Sequence, residues 1–166
     1  MLSMVTSGAA ISILYFLLRQ HDRVVGQAGL EKDYVVETVK EGLIIPWEID
    51  FISGDEALIT ERPGRVVLLT LSTGRSQVVG EIDVAHVGEG GLLGLTHIEP
   101  GSRPITYYTY RDGTLLYNRV QLWDSLEFKE GVVLLDRIPA APVHDGGRVK
   151  TGPDARLYIC LLYTSP

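Results

Sequence analysis

The chain has 166 residues, a formal net charge of −6, and no Lys/Arg cluster longer than a pair, which argues against a nucleic-acid groove. Its 45% hydrophobic and 22% charged residues are those of a globular chain, long enough for one domain with a real core. Eighteen glycines lean toward many turns, and the single cysteine, Cys160, excludes an intrachain disulfide and a Cys-based zinc site.

From Met4 to Leu18 the chain is apolar or small, greasiest over Ala9 to Leu18. Residues 1–18 therefore read as a signal-peptide core or a short membrane anchor, with the folded part exported. No Lys or Arg precedes the run, and the competing reading is a buried first helix or strand. Residues 19–33 read as a polar linker. Residues 34–159 read as the folded part, and 160–166 as a non-native tail.

Beyond the linker the period is two rather than 3.6. Tyr34 to Val39 is rich in β-branched residues and reads as a strand. Trp47-Glu48-Ile49-Asp50-Phe51 alternates, which places Trp47, Ile49 and Phe51 on one face. A Ser-Gly-Asp-Glu turn leads to Ala57–Thr60, Pro63-Gly64 to Arg65–Thr70, and Ser72-Thr73-Gly74 to Gln77–Val79. These make four short antiparallel strands joined by tight turns. The pattern then restarts, with strands at Gly90–Leu95, Ile105–Tyr110, Leu115–Trp123 and Gly131–Leu135. A third start is the strand-turn-strand from Arg148 to Ile159. Asp55-Glu56-Ala57-Leu58 and Asp154-Ala155-Arg156-Leu157 are alike in form, with Leu58 and Leu157 99 residues apart. Two steps of about 50 residues suit an all-β propeller of four-stranded blades; a β-sandwich is the structural rival.

The most chemically suggestive stretch is Pro142-Val143-His144-Asp145-Gly146-Gly147-Arg148. Histidine titrates near neutral pH, and two glycines beside it leave its imidazole clear of neighbours, so His144 is a candidate general base. The competing reading is a surface-loop histidine.

Several pieces together resemble one family. Gly42-Leu43-Ile44-Ile45-Pro46-Trp47 and Ile59-Thr60-Glu61-Arg62-Pro63-Gly64-Arg65 resemble the opening blade of the quinone-dependent aldose sugar dehydrogenases, the glucose/sorbosone dehydrogenase family. Gly88-Glu89-Gly90-Gly91-Leu92-Leu93-Gly94-Leu95 is similar to a second-blade motif. Ile138-Pro139-Ala140, His144-Asp145-Gly146-Gly147-Arg148 and Gly152-Pro153-Asp154 are similar to the active-site motif. The resemblance implies a partial six-bladed β-propeller of about two blades and the start of a third. It implies pyrroloquinoline quinone (PQQ) and calcium as cofactors, an aldose substrate and an external electron acceptor. His144 aligns with the base that takes the C1 hydroxyl proton as hydride passes to the quinone, giving a lactone. Glu89 falls where a polar residue sits near the sugar, with an exposed loop acid as the competing reading; Arg148 is a candidate to face the channel and the sugar, with a structural hydrogen-bonder opening a strand as the favoured alternative. Arg62 and Arg65 read as surface or turn partners, Trp47 as blade core, and His21, His86 and His97 as non-catalytic.

After Ile159 the resemblance stops, because the expected Gly-Asp is replaced by Cys160-Leu161-Leu162. The residues implied to hold quinone and calcium lie mostly past this point, and the chain alone is expected to be inactive. The alternatives are a non-catalytic propeller binding a carbohydrate or protein partner, and a metal-dependent lactonase-type propeller. For the last, His144 and Glu89 are too few ligands.

Overall fold

The computed structural model describes residues 11–17, 35–98 and 103–162; the expected linker at 19–33 lies outside them, as do His21 and most of residues 1–18. Every described regular element is a strand. The chain divides into two compact units, Met1–Leu43 and Ile44–Pro166. In the first, strand β1 (Ile11–Leu17) pairs antiparallel with β2 (Val35–Leu43), Leu17 opposite Val35. The apolar N-terminal run thus contributes a strand, and no helix among the described residues is long and apolar enough to cross a membrane.

The second unit holds three sheets. The first is β3 (Pro46–Phe51), β4 (Glu56–Glu61), β5 (Arg65–Thr70) and β6 (Arg75–Glu81), paired in chain order. The second is β7 (Leu92–His97), β8 (Pro104–Asp112), β9 (Leu115–Trp123) and β10 (Gly131–Pro139), again in chain order. The third is the hairpin of β11 (Arg148–Thr151) and β12 (Leu157–Cys160), with Thr151 opposite Leu157. Local chemistry makes the turns. Ser53 Oγ accepts the amides of Asp55 and Glu56, and Asp55 Oδ1 accepts the amide of Ser72 at 2.7 Å. At the β11–β12 turn the amide of Gly152 donates to the carbonyl of Arg156.

Leu58 and Leu157 both fall on the second strand of their sheets, as the repeat of about 50 residues requires. Strands run longer than the apolar residues that announce them: β6 extends to Arg75 and Glu81, and β10 to Pro139. Ladder hydrogen bonds continue through polar residues once register is set. The two glycines before Leu92 belong to the turn rather than to β7.

Strands β7 to β9 of the second sheet are covered on both faces, whereas its outer strand β10 is exposed. Toward the first sheet, Leu92, Leu95, Tyr108 and Trp123 meet Leu58 and Val66. On the other face Leu93, Ile105, Tyr107 and Val120 meet Val149 of β11, with Leu157, Ile159 and Trp47 packed around them. Covering each such side chain stabilises by about 1.5–3 kcal/mol, so this sheet is the rigid middle of the unit. Its first strand β7 lies against both β3 and β11. Two four-stranded sheets and the opening hairpin of a third, with their first strands neighbouring, are a partial β-propeller.

One strand departs from the simple pattern. In β3 the alternation is real, but the buried residues are Pro46, Glu48 and Asp50, while Trp47 and Ile49 are half-buried and Phe51 is exposed. The acidic face is covered because cations reach it from β11. The Arg148 guanidinium and Lys150 Nζ pair with Glu48, and Lys150 also meets Asp50 Oδ1 at 3.1 Å. His97 Nδ1 closes the row at 2.5 Å from Asp50 Oδ2.

Candidate functional site

The turn carrying His144 runs from β10 to β11, beside the 82–91 connection from β6 to β7. His144 is exposed, and its backbone is left-handed at φ 65°. That conformation is uncommon for a residue with a Cβ, though histidine tolerates it better than most, and strained residues of this kind cluster at active sites. Gly147, at φ 101°, is required by space as well: a Cβ there would lie 2.7 Å from Leu93 Cδ1 and 3.2 Å from Tyr107 Cδ1. The turn is pressed that closely onto the rigid second sheet.

Glu89 meets His144, although 55 residues separate them in sequence. The amide of His144 donates to Glu89 Oε2 at 2.8 Å, and the amide of Glu89 donates to the Pro142 carbonyl at 2.8 Å. The two turns are thus tied twice. Arg62 holds the Glu89 turn from below: its guanidinium donates to the carbonyls of Gly88 and Gly90, the latter at 2.9 Å. It is the turn partner its position beside Pro63-Gly64 suggests, but for a turn of the next sheet. Arg65 serves the carboxylate of Glu61, with Nε to Oε2 at 2.6 Å.

Arg148 does not join this pair. Its guanidinium is committed to Glu48, so it anchors the start of β11. His97 is paired with Asp50, and burial and the nearby Arg62 charge push the exposed His86 imidazole toward its neutral form.

Beneath His144 lies a residue whose role the sequence did not announce. Asp145 is 4% exposed, and its Oδ1 accepts the amide of Ala141 at 3.0 Å and the Asn118 side-chain amide at 3.4 Å. Its carbonyl accepts the Tyr107 hydroxyl at 3.0 Å. Burial, reinforced by the Glu89 charge, raises the Asp145 carboxyl above its ordinary value, against the lowering effect of the Ala141 and Asn118 bonds. Asn118 sits mid-strand in β9, 27 residues upstream, and no local signal in the sequence connects the two.

The residues fit a base flanked by a hydrogen-bonding carboxylate. They do not fit a holder for a quinone tricarboxylate or a calcium ion. The nearest cations, Arg62, Arg148 and Lys150, are engaged as described, and among the described residues no three His, Cys, Asp or Glu side chains converge as a metal site.

A partial propeller with a histidine on a glycine turn, braced by an acid from the turn that leads into the second sheet, defines the class, and comparison with known proteins agrees. The chain belongs to the Glucose / Sorbosone dehydrogenase family, whose description matches residues 43–162. Among solved structures it is similar to a putative oxidoreductase (glucose dehydrogenase) from Thermus thermophilus, with 40% identity and a TM-score of 0.64. It is also similar to the PQQ-bound aldose sugar dehydrogenase of Streptomyces coelicolor, with 26% identity and a TM-score of 0.64. Each alignment covers 74% of this chain, which spans 39% of the length of either structure. The comparison with curated proteins returned no match.

Proposed function

We propose that this chain is the part of an aldose-oxidising dehydrogenase that carries the proton acceptor. In this reading an aldose presents its C1 hydroxyl to the His144 imidazole. The hydroxyl proton passes to a ring nitrogen as the C1 hydrogen leaves with its electron pair for a two-electron acceptor, and the sugar becomes a lactone. The single observation that supports it best is His144 itself: exposed, left-handed, and tied to Glu89 through its own amide. Glu89 Oε2 is already an acceptor there, and its carboxylate is placed to take a further bond from a sugar hydroxyl. Arg148 is assigned an anchoring rather than a sugar-binding role.

PQQ with calcium is the proposed acceptor system, which residues other than those described would have to hold. An external carrier would take the electrons onward. Family membership favours an oxidoreductase over a purely binding propeller. Export, suggested by the apolar Met4–Leu18 run, is part of the same proposal, and a mature N-terminus that still begins at Met1 in the cytoplasmic fraction would count against it.

The test is dye-linked aldose oxidation by a full-length version with PQQ and calcium supplied. His144→Ala is expected to lower kcat by at least about a hundredfold, the usual share of a general base, while quinone binding is kept. Retained turnover removes His144 from the mechanism. The 166-residue chain alone is expected to reduce no dye.

A further inference from the structure

We propose that Asp145 is the positioning residue for His144, acting through the backbone of the turn without touching the imidazole. The inference rests on His144 being the base, and it gives a physical account of how that residue is kept in a strained conformation. A residue at φ 65° persists only where its surroundings over-determine it. Glu89 fixes one side of the turn through the His144 amide. On the other side the Gly147 amide donates to the Cys160 carbonyl, and the side-chain bonds that hold the His144 loop itself converge on Asp145.

Three bonds converge on that residue. Its Oδ1 accepts the amide of Ala141, four residues back, which closes the loop that carries His144. The same oxygen accepts from Asn118 Nδ2. The orientation of the Asn118 amide is not arbitrary. Thr109 Oγ1 donates to Asn118 Oδ1 at 2.7 Å, so the oxygen end is taken and the NH2 end must face Asp145. The Tyr107 hydroxyl then grips the Asp145 carbonyl. Tyr107, Thr109 and Asn118 are each 1% exposed or less and stand on β8 and β9, the central strands of the doubly covered sheet. The most mobile kind of element, an exposed turn, is therefore hung from the least mobile part of the fold.

The carboxyl is also roofed. A Cβ on Gly90 would lie 3.1 Å from Asp145 Oδ2, and that oxygen is buried and meets no donor among the described residues. Burying a carboxyl with one oxygen unserved is costly, and ordinary turn closure does not need it. Its place directly after the base, under the Glu89 turn, gives that cost a purpose: Asp145 sets where the imidazole stands.

The experiment is residue-resolved amide hydrogen exchange on the 166-residue chain, which reads the turn without any turnover. Asp145→Ala is expected to lower protection of the Ala141 and His144 amides by at least about tenfold while core amides such as Ile59 stay within about twofold. Asp145→Asn keeps the Oδ1 acceptor and is expected to restore both amides. If Asp145→Ala compromises folding, Tyr107→Phe removes only the hydroxyl and is expected to loosen the His144 amide alone among these, in the same direction. A His144 amide as protected in Asp145→Ala as in the parent, or an Asp145→Asn variant as open as the alanine, overturns the proposal. Because the readout is protection, its failure is distinct from a failure of the catalytic reading, which the dye assay alone decides.

Discussion

Two buried acids near the start of β11 are handled in opposite ways. Glu48 is covered by cations, with Arg148 and Lys150 both reaching it from β11. Asp145 is at least as deeply buried, yet its partners are neutral N–H groups and one of its oxygens meets none among the described residues. The first arrangement is a weld between sheets: charge meets charge across β7, and the polar inner face of β3 is satisfied. The second keeps a carboxyl in a costly state beside an exposed imidazole. The difference separates a residue that holds the propeller together from one that holds the candidate site, although only two residues lie between Asp145 and Arg148 in sequence.

Breaking the weld should give the largest effect. Arg148→Met leaves the Glu48 carboxylate buried with Lys150, at 3.5 Å, as its one remaining cation, beside the Ile49 amide. Loss of one partner of a buried pair costs about 3–5 kcal/mol, and since the Arg148 side chain is itself half in water the expected loss is nearer about 2 kcal/mol. The double variant Glu48→Met with Arg148→Met should recover most of it, because no charge is then stranded. Urea unfolding of the three proteins checks this. The comparison sharpens if the single variant loses stability while the His144 amide keeps its exchange protection. An Arg148→Met chain as stable as the parent would mean the pair is no weld.

Much of this architecture is legible in the residues. Period-two alternation and Gly/Pro/Asp turns place the strands of the second unit, since strand formation and turn chemistry are local. What alternation cannot supply is which face is covered. Trp47-Glu48-Ile49-Asp50-Phe51 reads as apolar inside, and Glu48 and Asp50 are the buried pair because Arg148 and Lys150, about 100 residues later, fold back over them. The site divides in the same way. His144 is suggested by its own neighbours, and Glu89 by resemblance alone. The Asn118–Asp145 bond leaves no trace in either local sequence, because its geometry exists only once β9 and the turn are brought together. Arg148 shows the reverse case, a charged residue inside a functional motif whose partner makes it structural.

The smallest effect, and the one that reads the state of Asp145 most directly, is the pH dependence of Asp145→Asn. Burial raises the carboxyl in the folded chain above its unfolded value of about 3.9, so the fold holds that proton more tightly than the unfolded chain does. The corresponding stability is fully present below the unfolded value and is lost as pH rises through the raised folded one. Asparagine does not ionise and loses nothing over that interval. The unfolding midpoint of Asp145→Asn should therefore gain on the parent as pH rises from about 4 through the raised folded value and keep a constant lead above it, by less than the Arg148→Met difference. A midpoint difference that stays flat across the range, or that falls as pH rises, would mean that burial does not raise the Asp145 carboxyl and would overturn this account of its state.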